Sequence, residues 1–338
     1  MCFAVHDSDG PIRKELNENG IECVDLNFLS RRHWIRKVSY PIEVYRFLKQ
    51  YNVSALLLHH ATSLILCGVA ARLARIKRIV MVEHSVHQFL DQPDHQKKAS
   101  VFLRMAHKII AVDRSILDYF YHYMHVPSER LSYVPNGIKI RPPDAQAALA
   151  LRHSLGITKT DFVFLFAGRL QPVKDVATLI RAIALIPDLQ RVDLRLLIAG
   201  DGAERVALER LSTESGLNSI ITFLGPRNDI PNLMNAANAF VMSSITEGQP
   251  MAILEAMAAC LPCIATAVGG IPELLGSDRG YLVALKDTPE FARLMVFLKN
   301  NSSVSRDKAS KSLEYVKKHH SIELVADAYL HELIKTEA

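Results

Sequence analysis

Two carboxylates, Glu247 and Glu255, stand eight residues apart in the run SSITEGQPMAILEAMAA, residues 243–259. Between them a Gly-Gln-Pro turn leads into a segment of strong helix formers, and Pro250 suits the first helical position, where a missing N–H costs nothing. A helix that starts after a glycine-containing loop offers free backbone N–H groups and the positive end of its dipole, which together make an anion site. In that setting the carboxylates are not phosphate ligands. They are acceptors for the hydroxyls of a ribose or a sugar carried by the phosphate.

The second constellation is GRLQPVK, residues 168–174, which follows the apolar run DFVFLFA and precedes a helical pattern. In open α/β sheets ligands bind beyond the carboxyl ends of the strands. Arg169 and Lys174 are expected at that edge, where two cations can neutralise a diphosphate and stabilise it as a leaving group.

Other candidates are weaker. Asp7-Ser8-Asp9 has the form of a D-x-D metal site, but Gly10-Pro11 follows and the stretch reads as a turn. Cys260 and Cys263 form a C-x-x-C between a helix and a strand, which reads as coincidence. His59-His60 and His84 with His87 lack convincing carboxylate or Cys partners, so no metal is expected. The basic run with one Trp at residues 31–37 suits either a membrane surface or a solvated helix end.

The elements that must position these groups follow from the hydropathy pattern. Strand candidates are Cys2–Val5, Ile21–Leu26, Ala55–Leu58, Ile79–Val82 and Ile109–Val112 in the first half. In the second they are Asp161–Ala167, Val192–Ala199, Ile220–Leu224, Ala239–Met242 and Pro262–Ala265. Helical spacing lies between them, as in Val176–Ile186 and Glu204–Leu211. Alternating strands and helices imply βαβ units and parallel sheets covered on both faces. Pro135-Asn136-Gly137, then Pro142-Pro143, is the linker candidate. Ser321–Lys335 carries Ile322, Val325, Tyr329, Leu330 and Leu333 on one helical stripe, with Ser321 as N-cap.

The chain has 338 residues, which suggests two domains. No apolar run is long enough to span a bilayer, and the start shows no basic and apolar leader pattern. Five cysteines fit a reducing compartment rather than a disulfide scaffold. Residues 1–138 hold 18 Lys/Arg against 13 Asp/Glu, whereas 139–338 hold 22 of each. The excess positive charge is therefore confined to the first half, where it can attract anionic lipid headgroups or be an ordinary solvated surplus.

The segments GRLQPVKD, LLIAGDG, FLGPRNDIPNLM, EGQPMAILEAMA and VGGIPELL, in that order, resemble the family 4 glycosyltransferases. The likeness is strong over 135–338. Over 1–134 it is fair and rests on GPIRKELNENGIECVDL, VEHS, IIAV and YVPNGI. It implies an α/β GT-B fold of two facing Rossmann-like domains with parallel sheets. Residues 1–138 would be the acceptor side, 139–320 the nucleotide-sugar side, and 321–338 a helix crossing back to the first domain. The implied activity is a retaining, hexosyltransferase-type transfer from a nucleotide sugar to a glycan or lipid-linked acceptor in polysaccharide or glycolipid assembly. No cofactor or metal is required, nucleic acid is not a partner, and the location is cytoplasmic, with a membrane's inner face as a further partner.

By position, the resemblance gives Arg169 and Lys174 the donor diphosphate and Glu255 the ribose hydroxyls. Glu247 takes the sugar hydroxyls and an influence on the reaction centre. Backbone N–H groups of Gly248 to Ala252, including Met251, serve the phosphates. His84 reaches the donor sugar from the other domain, and Arg227 and Asn228 lie around the base. The family begins with a strand and a glycine-rich loop. This sequence starts where the second strand is expected, so one β–α unit of roughly 30 residues is expected to be missing. The alternative function is accordingly a truncated nucleotide-sugar-binding protein without efficient catalysis. A nucleotide-sugar epimerase or a phosphorylase is disfavoured, since the Glu pair argues against the first and no pyridoxal-lysine motif supports the second. A Rossmann oxidoreductase is disfavoured because no G-x-G-x-x-G follows a strand.

Overall fold

The computed structural model describes residues 2–5, 16–25, 33–86, 89 and 93–335. The chain forms two compact units. One comprises Met1–Ala111, Ile116–Tyr133 and Tyr329–Ala338; the other comprises Val112–Ser115 and Val134–Ala328.

The second unit is built on six parallel strands: β7 (Phe162–Ala167), β8 (Leu194–Ala199), β9 (Ile221–Gly225), β10 (Ala239–Met242), β11 (Cys263–Thr266) and β12 (Tyr281–Val283), in the order β12-β11-β10-β7-β8-β9. Counted within this unit, that is the doubly wound 3-2-1-4-5-6 order, with its switch point between β7 and β10. Side chains of β7 alternate faces. Phe164 and Phe166 join Leu194, Leu196 and Ile198 in one core, whereas Val163, Leu165 and Ala167 join Leu197 and Phe240 in the other. All of these are buried, which is why β7 reads as an unbroken apolar run.

Helices cover both faces: α5 (Ala145–Ser154), α6 (Val176–Leu185), α7 (Arg205–Glu214), α8 (Ile230–Ala236), α9 (Met251–Ala258), α10 (Ile271–Leu275), α11 (Thr288–Asn300) and α12 (Ser302–His319). Asp144 caps α5 by accepting from Ala147 N at 2.9 Å, and Asp287 caps α11 by accepting from Glu290 N at 3.1 Å. The last helix, α13 (Ile322–Ile334), starts in this unit and ends in the other.

The first unit carries a parallel four-stranded sheet, β3 (Ala55–His59), β4 (Arg78–Glu83), β5 (Lys108–Ala111) and β6 (Leu131–Tyr133), and a parallel pair, β1 (Cys2–Val5) with β2 (Glu22–Asp25). Its described helices are α1 (His33–Gln50), α2 (His60–Leu73), α3 (Pro93–Phe102) and α4 (Arg114–His122), the last beginning in the short stretch assigned to the second unit. The end of α13 is fixed here: Arg78 Nε donates to Glu332 O at 3.0 Å, and Ser132 Oγ donates to Glu332 Oε1 at 2.6 Å. No described helix is long and apolar enough to cross a membrane.

The α/β class with parallel sheets agrees with the sequence expectation. Two strands escaped it: β6 and β12 are three residues each, too short to show a period. Pro250 is corrected by one position. It is the N-cap of α9, with ψ 123°, and Met251 is the first helical residue. Proline serves either place because neither needs its N–H. Asp7-Ser8-Asp9, Gly10-Pro11, Arg31, Arg32 and His87 lie outside the described residues, while His33–Lys37 form the start of α1. Cys260 and Cys263 are free thiols. Cys263 is buried in β11, and burial pushes its thiol far above the ordinary range, so it is inert rather than redox-active.

Two glycines show how tightly the sheet edge is built. Gly200 has φ +142°, and a Cβ there would lie 1.9 Å from Gly168 O; Gly156 has φ +67° with nothing within 4 Å. Gly156→Ala is therefore expected to cost only the left-handed backbone penalty of about 1–2 kcal/mol. Gly200→Ala should cost several times more, because backbone must move. Urea unfolding of both variants checks the difference.

Candidate active site

Both loops predicted to carry chemistry fall at the carboxyl ends of β7 and β10, on either side of the switch point. After β7 the chain turns through Gly168 to Lys174. After β10 it passes Ser243 to Pro250 and enters α9.

The two loops are joined. Lys174 Nζ donates to Glu247 Oε1 at 2.5 Å, with side chains only 17% and 11% exposed. Ile245 N donates to Val173 O at 2.8 Å, and Ser243 Oγ donates to Asp175 O at 2.8 Å. Asp175 itself takes the left-handed region, φ 44°, a conformation that Asp tolerates better than most residues.

Glycines let neighbouring loops close around this core. Gly168 N donates to Ala199 O at 3.0 Å and Leu170 N to Asp201 O at 2.8 Å, which locks the GRL turn onto the GDG turn. Gly270 N donates to Gly248 O at 2.9 Å, and a Cβ on Gly269 would sit 1.8 Å from Glu247 O. The VGG segment is thus the floor under Glu247 and Gly248.

At the start of α9 no side chain among the described residues caps the helix. The first N–H groups of a helix have no intrahelical acceptor, so those of Met251 and Ala252 remain available to an anion. Met251 is exposed and Ala252 half-buried. One turn further on, Glu255 is half-buried, and burial raises its carboxyl above the ordinary range. It lines a groove with Ile138, Lys139, Arg141, Met234 and Asn235.

The remaining predicted residues are placed as follows. Arg169 is exposed at the end of β7, and no ion pair joins it to an acid among the described residues. Arg227 is committed to Asp229 through two bonds of 2.7 and 2.6 Å in the loop after β9, and Asn228 between them is exposed. His84 belongs to the first unit, just past β4. Its Nε2 lies 2.9 Å from His59 Nδ1, and its backbone N donates to Glu83 Oε1 at 3.0 Å.

Glu83 is a group that sequence reasoning missed. Its buried carboxylate accepts from His60 Nδ1 at 2.9 Å and from Ala61 N at 3.0 Å as well. The His60–Glu83 bond raises the imidazole's pKa, whereas burial lowers that of His59. His60 adopts φ +67°, a costly geometry for a side chain of that size. The doublet of histidines was the only signal in the sequence. Among the described residues no cluster of His, Cys, Asp or Glu is arranged to hold a metal. Gln249 and Asn136 were also missed as partners: Asn136 N donates to Gln249 Oε1 at 2.6 Å, and Asn136 Nδ2 to Gln249 O at 2.9 Å.

Breaking the Lys174–Glu247 pair from one side leaves a largely buried charge uncompensated. Lys174→Met should lower stability by an amount between the about 1 kcal/mol of an exposed pair and the about 3–5 kcal/mol of a fully buried one. Adding Glu247→Gln should restore part of the loss. Urea titrations of the two single variants and the double variant read this directly.

The sequence pattern of the Glycosyl transferases group 1 family matches residues 149–319, and that of Glycosyltransferase Family 4 matches residues 2–141. The chain is 28% identical over 275 residues to the UDP-Gal:alpha-D-GlcNAc-diphosphoundecaprenol alpha-1,3-galactosyltransferase of Escherichia coli, covering 78% of this chain and 70% of that protein. It is 25% identical over 283 residues to the N-acetyl-alpha-D-glucosaminyl L-malate synthase of Bacillus anthracis, covering 82% and 74%. Among solved structures, Anabaena HepE in complex with UDP superposes with a TM-score of 0.85 at 22% identity, covering 98% of this chain and 91% of that one. That likeness speaks for the fold, two Rossmann-like α/β domains of the GT-B type. With one family pattern over half of its length and the second over most of the remainder, the chain belongs to the group 1, family 4 glycosyltransferases.

Proposed function

We propose that this glycosyltransferase moves a hexosyl group from a UDP-sugar to a lipid-linked glycan, with retention at the anomeric carbon, on the cytoplasmic face of a membrane. The observation that carries the donor side is the loop pair at the switch point. Lys174 and Arg169 approach from β7, and the uncapped start of α9 lies beyond β10. Cations and helix N–H groups together suit a diphosphate, as substrate and as leaving group. Uridine is chosen because the galactosyltransferase relative uses UDP-Gal and HepE was crystallised with UDP.

The assigned roles follow from chemistry. Glu255, one turn into α9, accepts hydrogen bonds from ribose hydroxyls. Glu247, held in place by Lys174, accepts from the sugar hydroxyls near the reacting carbon. His84 contacts the transferred sugar. Arg227 and Asn228 lie by the base. No metal is assigned, because Lys174, Arg169 and the helix supply the positive charge. The lipid-linked acceptor is supported by the galactosyltransferase relative, named for a diphosphoundecaprenol acceptor, and by the positive excess confined to residues 1–138, which favours an anionic bilayer surface.

The direct test is transfer from a panel of UDP-, GDP- and ADP-sugars to a polyprenyl-diphosphate saccharide, with the product anomer read by NMR. Transfer from UDP-hexoses with retention is expected; an inverted product or preference for another base overturns the corresponding part of the assignment.

Arg169→Ala and Lys174→Ala should each weaken UDP binding by roughly tenfold to a hundredfold, as expected for one charge-assisted bond of about 1.5–3 kcal/mol. Titration calorimetry measures it.

Glu255→Ala should mainly raise the donor KM and Glu247→Ala mainly lower kcat, since the first loses ground-state binding and the second an interaction of the transition state. Because burial raises the Glu255 carboxyl, acidification should protonate it, and cost donor affinity, at a higher pH than for an exposed glutamate. Glu255→Gln should remove that limb from the pH profile of donor binding.

A further inference from the structure

The residue between the glycine and the proline of this loop carries no charge to offer a phosphate, yet its side chain is buried and bonded to a distant segment. Gln249 is 4% exposed. Its Oε1 accepts from Asn136 N at 2.6 Å, and its backbone carbonyl accepts from Asn136 Nδ2 at 2.9 Å. A backbone N–H can only donate, so the first bond fixes which end of the Gln249 amide faces Asn136. The other end, Nε2, is buried without a hydrogen-bond partner among the described residues. A leucine or methionine would fill the same volume without the orphaned Nε2, but would leave Asn136 N–H without its acceptor. What the glutamine side chain adds is a second bond to Asn136 beside the one its backbone carbonyl makes.

Asn136 is held from its other side. His320 is 1% exposed, and burial lowers its pKa, which favours the neutral imidazole. Its Nδ1 lies 3.0 Å from Asn136 O, an atom that only accepts, so Nδ1 carries the proton and donates. Ile138 N then donates to His320 O at 2.8 Å, and Ile322 N donates to Ile138 O at 3.1 Å. Gly137 lies so close that a Cβ there would meet Val325 Cβ at 2.9 Å. The chain passes between its two units after Ala111, Ser115, Tyr133 and Ala328, and two of these passages lie near this network: those after Tyr133 and after Ala328. Asn136 and α13, which begins two residues after His320, flank those two passages.

We propose that Gln249 is a positioning residue: through Asn136 it clamps the 247–250 loop, and with it the first turn of α9, to the two segments that carry the passages after Tyr133 and after Ala328. The peptide that leads into Pro250 is held at its carbonyl and at the preceding side chain, which sets the direction in which the Met251 and Ala252 N–H groups point. A ligand that pulls on this turn is felt at 134–140 and 318–325 through the same bonds. The effect on affinity rests on the phosphate-binding reading of α9; the clamp itself does not.

The test uses the full chain with Gln249→Met, Asn136→Ala and the double variant. Gln249→Met removes one orphaned donor, Nε2, and creates another, Asn136 N–H, so little change in Tm is expected. Hydrogen exchange without ligand should be faster in the 247–258 peptide of each single variant, which loses one of the two bonds, and faster still in the double variant, which loses both. UDP should bind about tenfold more weakly to each single variant while uridine, which lacks phosphates, binds as to wild type. A residue with a merely structural role would weaken both ligands alike. In wild type, UDP should also slow exchange in 134–140 and 318–325, and this remote protection should vanish in Gln249→Met. Unchanged exchange in 247–258 in both single variants overturns the clamp, and equal loss of UDP and uridine overturns the positioning role. If wild type binds none of UDP, GDP and ADP, the donor assignment falls, and the ligand-free exchange still decides the clamp.

Discussion

The carboxyl-end edge of the second sheet depends on one constraint: an acid and a base from different loops must be kept together, largely out of water, in front of a helix whose N-terminus favours anions. Lys174 and Glu247 meet at 2.5 Å. Neither loop could hold this geometry alone. Left single, either charge would carry a desolvation cost of several kcal/mol, so each makes the other's burial tolerable. The backbone bonds from Ile245 to Val173 and from Ser243 to Asp175 keep the pair in register. The surrounding glycines are required by the same closeness: Gly200 abuts Gly168 O and Gly269 abuts Glu247 O at separations that no Cβ could share.

The three acids near these loops are set apart by environment. Glu247 is neutralised by Lys174. Glu255 has burial without a matching cation, and its carboxyl is raised accordingly. Glu273, at the start of α10, faces Arg114 at 3.3 Å in a mostly exposed contact, which contributes little. Two glutamates of identical intrinsic chemistry are thus placed in different environments, one paired with a cation and one raised by burial.

The first unit solves a related problem differently. The loop carrying His84 is held by a buried carboxylate, Glu83, which accepts four bonds, from the backbone N–H groups of Ala61, His84 and Ser85 and from the His60 ring. Such a carboxylate is stable in the interior because every bond it accepts lowers the cost of its charge. His60, whose ring reaches Glu83, stands at φ +67° just after the end of β3.

Local information in the chain determined the second unit almost completely. The apolar run of β7, the helical stripe of α6 and the Gly-Gln-Pro entry into α9 each express a preference that needs no distant partner, so fold class and candidate loops were legible. Short elements were not: β6 and β12 have three residues each, and only their neighbours in the sheet make them strands. The site residues were legible by type, because cations and acids at strand ends have few structural uses. Their partnerships were decided by tertiary structure alone. Lys174 finds Glu247 across 73 residues, Asn136 finds Gln249 across 113, and Arg78 finds Glu332 across 254. No sequence period reports such distances. Which groups meet is set by strand order, and strand order is the outcome of packing the whole sheet rather than of any segment within it.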